Sequence, residues 1–219
     1  MERFKEKELP LRCVLRMQKK DSSADEYIKT CQPLWDKAAE DGKLRSGTVF
    51  TYDDQIFVYY ECREAFDIYE YLPDIDKYVY PWPGQEKPRP FIPMVKVYQS
   101  SPMEEVRDWK RKTKTTPRMT ISRMKLDTLQ EYTFWHYLLQ EERPGYNGRY
   151  LAIWDIEDWC VLYNEDEEDR NIDMDYEGKL STNNAPVDDW TAYMIPHFYN
   201  WPDGKLYQQG IILVHAAEV

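Results

Sequence analysis

The motifs of the first half of this chain return, in the same order, in the second half. Arg12-Cys13-Val14-Leu15-Arg16-Met17 is answered by Met119-Thr120-Ile121-Ser122-Arg123-Met124, and Glu26-Tyr27-x-x-x-Cys31 by Glu131-Tyr132-x-x-x-His136. Asp54 and Glu61 return at the same spacing as Asp158 and Glu165, and Tyr80-Pro81-Trp82-Pro83 returns as Tyr199-Asn200-Trp201-Pro202. The offset is 105 for the Glu-Tyr pair, 104 for the acidic pair and 119 for the Tyr-x-Trp-Pro element. A constant order with an offset that holds near 105 and then widens is what duplication followed by loop insertion leaves behind. Two copies of one unit can then complete a structure that neither closes alone.

Each copy reads as the same series of elements. In the first, the alternation of Leu11 to Gln18 predicts a strand, and the apolar spacing Ala24, Tyr27, Ile28, Cys31, Leu34/Trp35, Ala38 predicts one helix from about Ser23 to Asp41, stopped by Gly42. Ser46 to Tyr52 and Ile56 to Cys62 form a hairpin about Asp53-Asp54, a short helix lies between Glu64 and Pro73, and the proline-rich run from Pro81 to Pro93 is a loop. Phe91 to Gln99 returns as a strand. In the second copy, Thr116 to Lys125 is a strand, followed by a helix capped by Asp127 or Thr128 that ends before Pro144-Gly145. Its stripe is Leu129, Tyr132, Trp135, His136 and Leu139. Tyr150 to Ile156 and Trp159 to Tyr163 form the hairpin, residues 165–189 an acidic, Asn-rich insertion and mobile loop, Asp188 to Tyr193 a short helix, and Ile211 to His215 the closing strand.

Each unit is therefore β-α-β-β-α-β, a ferredoxin-like arrangement with helices on one face of an antiparallel sheet. The expected fold class is α+β. Two ferredoxin-like units, residues 1–100 and 117–219, are joined by a linker at 101–116, their sheets packed as an intramolecular pseudo-dimeric α/β barrel. An internal pseudo-dimer predicts a monomer. The basic run Lys110-Arg111-Lys112-Thr113-Lys114 in the linker reads as a solvated tether.

Composition narrows the function. With 42% hydrophobic and 32% charged residues in 219, a sizeable core is within reach. A net charge of -11 argues against nucleic acid and anionic membrane, which select clustered Lys and Arg, and leaves neutral or cationic ligands. Cys13, Cys31, Cys62 and Cys160 have neither C-x-x-C spacing nor clustering, so they read as reduced, buried thiols of a cytoplasmic protein rather than a disulfide frame or a zinc site. The N-terminus is charged throughout and no stretch approaches the roughly 20 apolar residues of a membrane helix. The 18 Tyr and 8 Trp are in excess, and rings that are half apolar and half hydrogen-bonding suit a wet pocket.

The segment Glu26-Tyr27-Ile28-Lys29-Thr30-Cys31-Gln32-Pro33-Leu34-Trp35, following a strand, resembles the L-rhamnose mutarotase family of dimeric α/β-barrel proteins, which carry Glu-Tyr-x-x-x-His-x-x-[Ile/Leu]-Trp on the first helix. The first copy keeps Tyr27, Pro33 and Trp35 but has Cys31 where the family has His. The second keeps Tyr132 and His136 but reads Leu138-Leu139-Gln140 where the family has Trp. The family's Trp-Trp-x-Tyr-Met segment is partly matched by Trp190-Thr191-Ala192-Tyr193-Met194. The resemblance implies interconversion of the anomers of a free sugar, with no cofactor and no metal, and the second unit as the one that keeps the site.

His136 has a physical case of its own. Mutarotation moves one proton off the anomeric hydroxyl and another onto the ring oxygen, and His is the side chain best matched to that task near neutrality. Tyr132, one helical turn away, shares its face and can hold the sugar or relay a proton. Trp190 and Trp201 are candidates for the apolar wall under a sugar ring, with Tyr27, Trp35 and His197 as further substrate-binding candidates. The competing reading makes Tyr132 and His136 core residues on the stripe facing the sheet, Cys31 a buried small hydrophobe, His197 a loop residue, His215 structural, and the Tyr-x-Trp-Pro elements loop anchors. The function expected is a cofactor-independent mutarotase. Its alternative is a non-catalytic carbohydrate- or small-ligand-binding accessory protein, and monooxygenases and haem-handling proteins of the wider superfamily rank behind both.

Overall fold

The computed structural model describes residues 11–62, 64–84, 87–99, 111, 113–142, 150–166 and 190–218. In chain order these form β1 (Leu11–Gln18), α1 (Ser23–Thr30), α2 (Gln32–Glu40), β2 (Leu44–Tyr52), β3 (Gln55–Cys62), α3 (Ile68–Tyr71), β4 (Ile92–Pro93), β5 (Val95–Gln99) and β6 (Thr116–Met124). They continue with α4 (Leu129–Glu142), β7 (Ala152–Ile156), β8 (Trp159–Asp166), α5 (Trp190–Met194), β9 (Phe198–Tyr199), β10 (Gln208–Gln209) and β11 (Ile211–Ala217). Short 3-10 turns occupy Ile75–Lys77, Leu126–Thr128 and Ile195–His197. The fold is α+β with two antiparallel sheets, ordered β11-β2-β3-β1-β4 and β10-β6-β8-β7-β5. The described residues fall into two compact units, one drawn from Met1–Met94, Val106–Lys114 and Ile211–Val219, the other from Val95–Glu105 and Thr115–Gly210.

Both sheets keep the ferredoxin-like order, in which the fourth strand of a unit lies beside its first and the first beside its third. Each then gains a fifth strand from the far part of the chain. The strand expected over Phe91–Gln99 divides at Met94. β4 pairs with β1, closing the first unit, whereas β5 pairs with β7 of the second. Likewise β9 and β10 close the second unit on β6, and β11, expected to close it, pairs with β2 of the first. Contiguous units at 1–100 and 117–219 therefore give way to units that exchange edge strands, because hydrogen-bonding edges are satisfied by whichever strand arrives in register.

In the first unit Leu15 and Met17 of β1 face the helices and pack with Ile28, Trp35, Val49, Ile56 and Val58. Trp35 is fully buried, its ring 5.0 Å from that of Tyr71. Burying such a ring removes about 200 Å² from water, worth on the order of 4–5 kcal/mol. The single helix expected over Ser23–Asp41 is two, α1 and α2, parted at Cys31. Pro33 is the cause: it has no N–H for the carbonyl four residues back and its ring clashes there. Gly42 is left-handed at φ 71, as a helix stop requires. Asp67 caps α3 by accepting from the Tyr69 N–H at 3.0 Å.

The repeated acidic pair marks the two hairpins. β2–β3 and β7–β8 turn through Asp53-Asp54 and Glu157-Asp158, with the first residue left-handed in each, φ 52 and 53. Glu61 and Glu165 end the following strands, buried on the face away from the helices. Glu61 takes a bidentate bond from Arg111 at 2.6 and 3.0 Å and a bond from the Tyr59 hydroxyl, with Arg12 at 3.6 Å. Arg111 is 2% exposed, so at that residue the basic run is a buried anchor rather than a solvated tether. Glu165 receives the hydroxyls of Tyr163 at 2.6 Å and Thr115 at 2.5 Å. The expected loop over 165–189 begins later, since β8 runs through Asp166; residues 167–189 lie outside those described. Among the described residues no helix is long and apolar enough to cross a membrane.

Candidate functional site

The second unit buries titratable side chains where the first has an ordinary core. Tyr132 and His136, one turn apart on α4, both face the sheet, 3% and 4% exposed. Their rings lie 4.0 Å apart, and Trp190 of α5 meets the His136 ring edge-on at 5.1 Å. His197, in the 3-10 turn after α5, is 5.9 Å from the Tyr132 ring, and Tyr98 of β5 is 5.8 Å from His136. Four of the candidates, Tyr132, His136, Trp190 and His197, are thus brought together. His197 is buried rather than a loop residue.

The other three are not part of this cluster. Trp201 lies 6.2 Å from Trp159, whose ring also carries the Arg123 guanidinium at 4.4 Å, and its backbone closes a turn onto Lys205. Trp159 precedes Cys160 on β8, so this aromatic pair belongs to the opposite face of the strand. Trp201 anchors a loop. Tyr27 stacks on Tyr78 at 4.3 Å and its hydroxyl accepts the Asp74 N–H at 2.7 Å, while Trp35 is core. Both belong to the first unit. His215 faces Thr48, with Nδ1 and Oγ1 2.9 Å apart.

Two side chains not singled out from the sequence complete the cluster. Asp155 of β7 stands opposite Cys160 of β8, and both point toward α4. The Cys160 sulfur is 3.5 Å from the Tyr132 hydroxyl. Asp155 is 4% exposed, and neither carboxyl oxygen has a well-aligned hydrogen bond, the Cys160 thiol beside it being a weak donor. The signal was in the strand: in Ala152-Ile153-Trp154-Asp155-Ile156 the period-2 pattern puts Asp155 on the face of Ile153, the core face.

The electrostatics follow from burial. His136 Nδ1 lies 2.9 Å from the Tyr132 carbonyl oxygen. That oxygen can only accept, so Nδ1 carries the hydrogen and Nε2 is left as a bare acceptor. Burial lowers the His136 pKa to about 4, against the partial support of that carbonyl and with a small further push from His197, so the ring is neutral at pH 7. Burial raises the Asp155 carboxyl to about 7, the Cys160 thiol beside it pulling weakly the other way. Tyr132 and Cys160 are pushed well above their ordinary values by the same burial, so hydroxyl and thiol stay protonated. His197 Nδ1 lies 3.2 Å from the Met194 carbonyl, and its Nε2, without a hydrogen bond, is 3.9 Å from Glu131. Glu131 in turn accepts the Tyr193 hydroxyl at 2.6 Å, which fastens α5 to α4 over the cluster.

The arrangement therefore offers a neutral imidazole that accepts a proton and a carboxyl that titrates near neutrality, on one apolar face. Pairs whose environments push their pKa values toward opposite tasks are what acid–base chemistry uses. Among the described residues no three His, Cys, Asp or Glu side chains gather as a metal site.

No protein-family model and no curated protein matches the sequence, so the mutarotase resemblance stands on the helix segments alone. Solved structures similar to the chain include a Fusobacterium nucleatum protein named "Putative monooxygenase", 7% identical, covering 95% of this chain and 94% of that one with a TM-score of 0.46. A "putative monooxygenase" from Lactobacillus acidophilus is 8% identical over 96% and 97% of the two chains, TM-score 0.45. An "anthrone oxidase-like protein" is 9% identical over 93% and 90%, TM-score 0.40. At these identities and scores the likeness carries no argument about the chemistry of this chain.

Proposed function

We propose that the second unit is a cofactor-independent acid–base isomerase of the mutarotase type, acting on a free sugar or deoxysugar. The observation that supports it is the state of His136: a buried, neutral imidazole whose Nδ1 is tied to its own helix and whose Nε2 is bare, beside the rings of Tyr132 and Trp190. An imidazole held so accepts the anomeric proton without first losing one of its own, and Trp190 supplies an apolar surface for the C–H face of a sugar ring. The first unit, with Cys31 at the matching position and Tyr27 bound to a loop, serves as scaffold. Because Tyr132 and His136 are closed off from water, a sugar reaches them only when α5, five residues long, moves from α4.

The test is equilibration of freshly dissolved single-anomer sugars, L-rhamnose first, followed by polarimetry or saturation-transfer NMR. Acceleration that is lost in His136→Ala supports the reading. A rate equal to the buffer rate across a broad neutral-sugar panel overturns it, and sugar binding without acceleration favours an accessory protein instead.

A further inference from the structure

We propose that Asp155 is the second acid–base group of this site, the carboxyl that gives the sugar ring oxygen its proton and takes it back. The inference rests on the mutarotase reading and deepens it. A carboxyl at 4% exposure whose oxygens have no well-aligned hydrogen bond, with the Cys160 thiol beside it as a weak donor, is an expensive feature, because a buried polar group so poorly served is strongly disfavoured.

The fold does not require it. Thr51 occupies the same place in the first copy: it opposes Ile56 as Asp155 opposes Cys160, two residues before the left-handed turn residue in each hairpin. Thr51 is fully served, its hydroxyl accepting from Lys19 Nζ at 2.9 Å and donating to the Gln55 carbonyl at 3.2 Å. One copy thus holds a satisfied neutral group where the other holds a poorly served acid, and a ligand hydroxyl or ring oxygen is what such an acid is fitted to receive. Asp155 faces Cys160 from β8, whose sulfur lies 3.5 Å from the Tyr132 hydroxyl of α4, and Val95 of β5 stands opposite it; His136 and His197, packed about Tyr132, and Tyr98, packed about His136, are the further titratable groups. Burial among them keeps the carboxyl protonated to about pH 7.

The chemistry balances. His136 Nε2 takes the proton of the anomeric hydroxyl as the bond from the anomeric carbon to the ring oxygen breaks, and the Asp155 carboxyl gives its proton to that oxygen. The open-chain aldehyde rotates about its first carbon–carbon bond. The ring oxygen then attacks the other carbonyl face, returning its proton to the Asp155 carboxylate as the His136 imidazolium returns one to the carbonyl oxygen.

Two measurements test it. The first needs no sugar: NMR of protein carrying carboxyl-labelled Asp, with Asp155→Asn assigning the resonance, reads the titration directly. A midpoint near neutrality is expected, and a carboxyl already ionised at pH 5 overturns the proposal while leaving the His136 reading intact. The second is the pH–rate profile of mutarotation. The wild type should lose rate as pH rises through about 7, where Asp155 ionises, and as it falls below about 4, where His136 is protonated. In Asp155→Asn, and in Asp155→Thr, which copies the first unit and guards against misfolding, the rate should drop at least tenfold with the alkaline limb gone. Variants with wild-type rate and an unchanged profile overturn the role. A carboxyl that titrates near neutrality in a chain that accelerates no sugar overturns the mutarotase reading, and the catalytic role with it.

Discussion

Asp155 and His136 set opposite pH slopes on stability, and removing one exposes the other. In the folded chain the Asp155 carboxyl holds its proton to about pH 7, against an ordinary value of 3.8. Its contribution to stability is complete below the unfolded value and is lost as pH rises through the folded one. At roughly 1.4 kcal/mol per pH unit, the loss amounts to about 4 kcal/mol between about pH 4 and 7. His136 behaves in the reverse sense, its folded value of about 4 lying under an ordinary 6.5. Its contribution is present above the unfolded value and lost as pH falls through the folded one, roughly 3 kcal/mol over that window. Both groups are almost wholly buried, so solvent screens neither. Their slopes nearly cancel in the wild type. Urea midpoints measured at half-unit steps from pH 4 to 8 should therefore show Asp155→Asn gaining stability relative to wild type as pH rises, by about 4 kcal/mol across the range. His136→Gln should show the mirror image, losing about 3 kcal/mol relative to wild type from pH 4 to 6.5. Curves for Asp155→Asn and wild type that stay parallel refute the argument, since all other groups cancel in the difference.

Two further outcomes concern the scaffold. A Cβ at Gly47 falls 2.5 Å from Trp35 Cζ3 and 2.8 Å from Leu44 Cδ2, and the buried indole has nowhere to go. Gly47→Ala should cost about 1–3 kcal/mol, read as a lower urea midpoint at unchanged slope; a change within about 0.5 kcal/mol would show that the ring yields. Deleting residues 211–219 removes Val214 and Ala216 from the first core and strips β2 of its outer partner. The truncated chain should lose the first unit's cooperative transition, read by the fluorescence of a variant that keeps Trp35 as its single tryptophan, and regain it when the missing segment is added as a peptide; an unaltered transition without the peptide counts against the exchange.

How far these features could be read from the residues depends on whether their cause is local. The duplication, the hairpins at Asp53-Asp54 and Glu157-Asp158 and the stop at Gly42 depend on a few neighbouring side chains and were legible. The break at Cys31 is equally local, since Pro33 stands in the sequence, but an apolar stripe of helical spacing runs straight through it and masks it. The exchange of β5 and β11 was not legible. Val95–Gln99 and Ile211–Ala217 look the same whichever sheet they join, and their partners lie far away in the chain. Arg111 in a basic run resembles a solvated charge until Glu61 is seen opposite it. At the site, Tyr132, His136, Trp190 and His197 come together because α4 and the turn after α5 share one sheet face. Trp201 falls on the other face, a parity that its loop position hid. Asp155 had a local signal, an acid at an inward strand position, that motif matching passes over.

The exchange of strands also governs the order in which this protein can be assembled. Ile211 meets Thr51 across 160 residues of chain, so the first sheet waits for its outer strand until the second unit has been made. Domains usually condense one after another as they leave the ribosome. Here the earliest-made sheet carries an open edge, Leu44–Tyr52, throughout the making of the second unit. An unpaired edge of that kind is a template for the wrong neighbour, including the same segment of another nascent chain. The tandem arrangement thus shifts the hazard from the finished molecule to the polysome, and slow translation of the second half should lower the yield of folded protein.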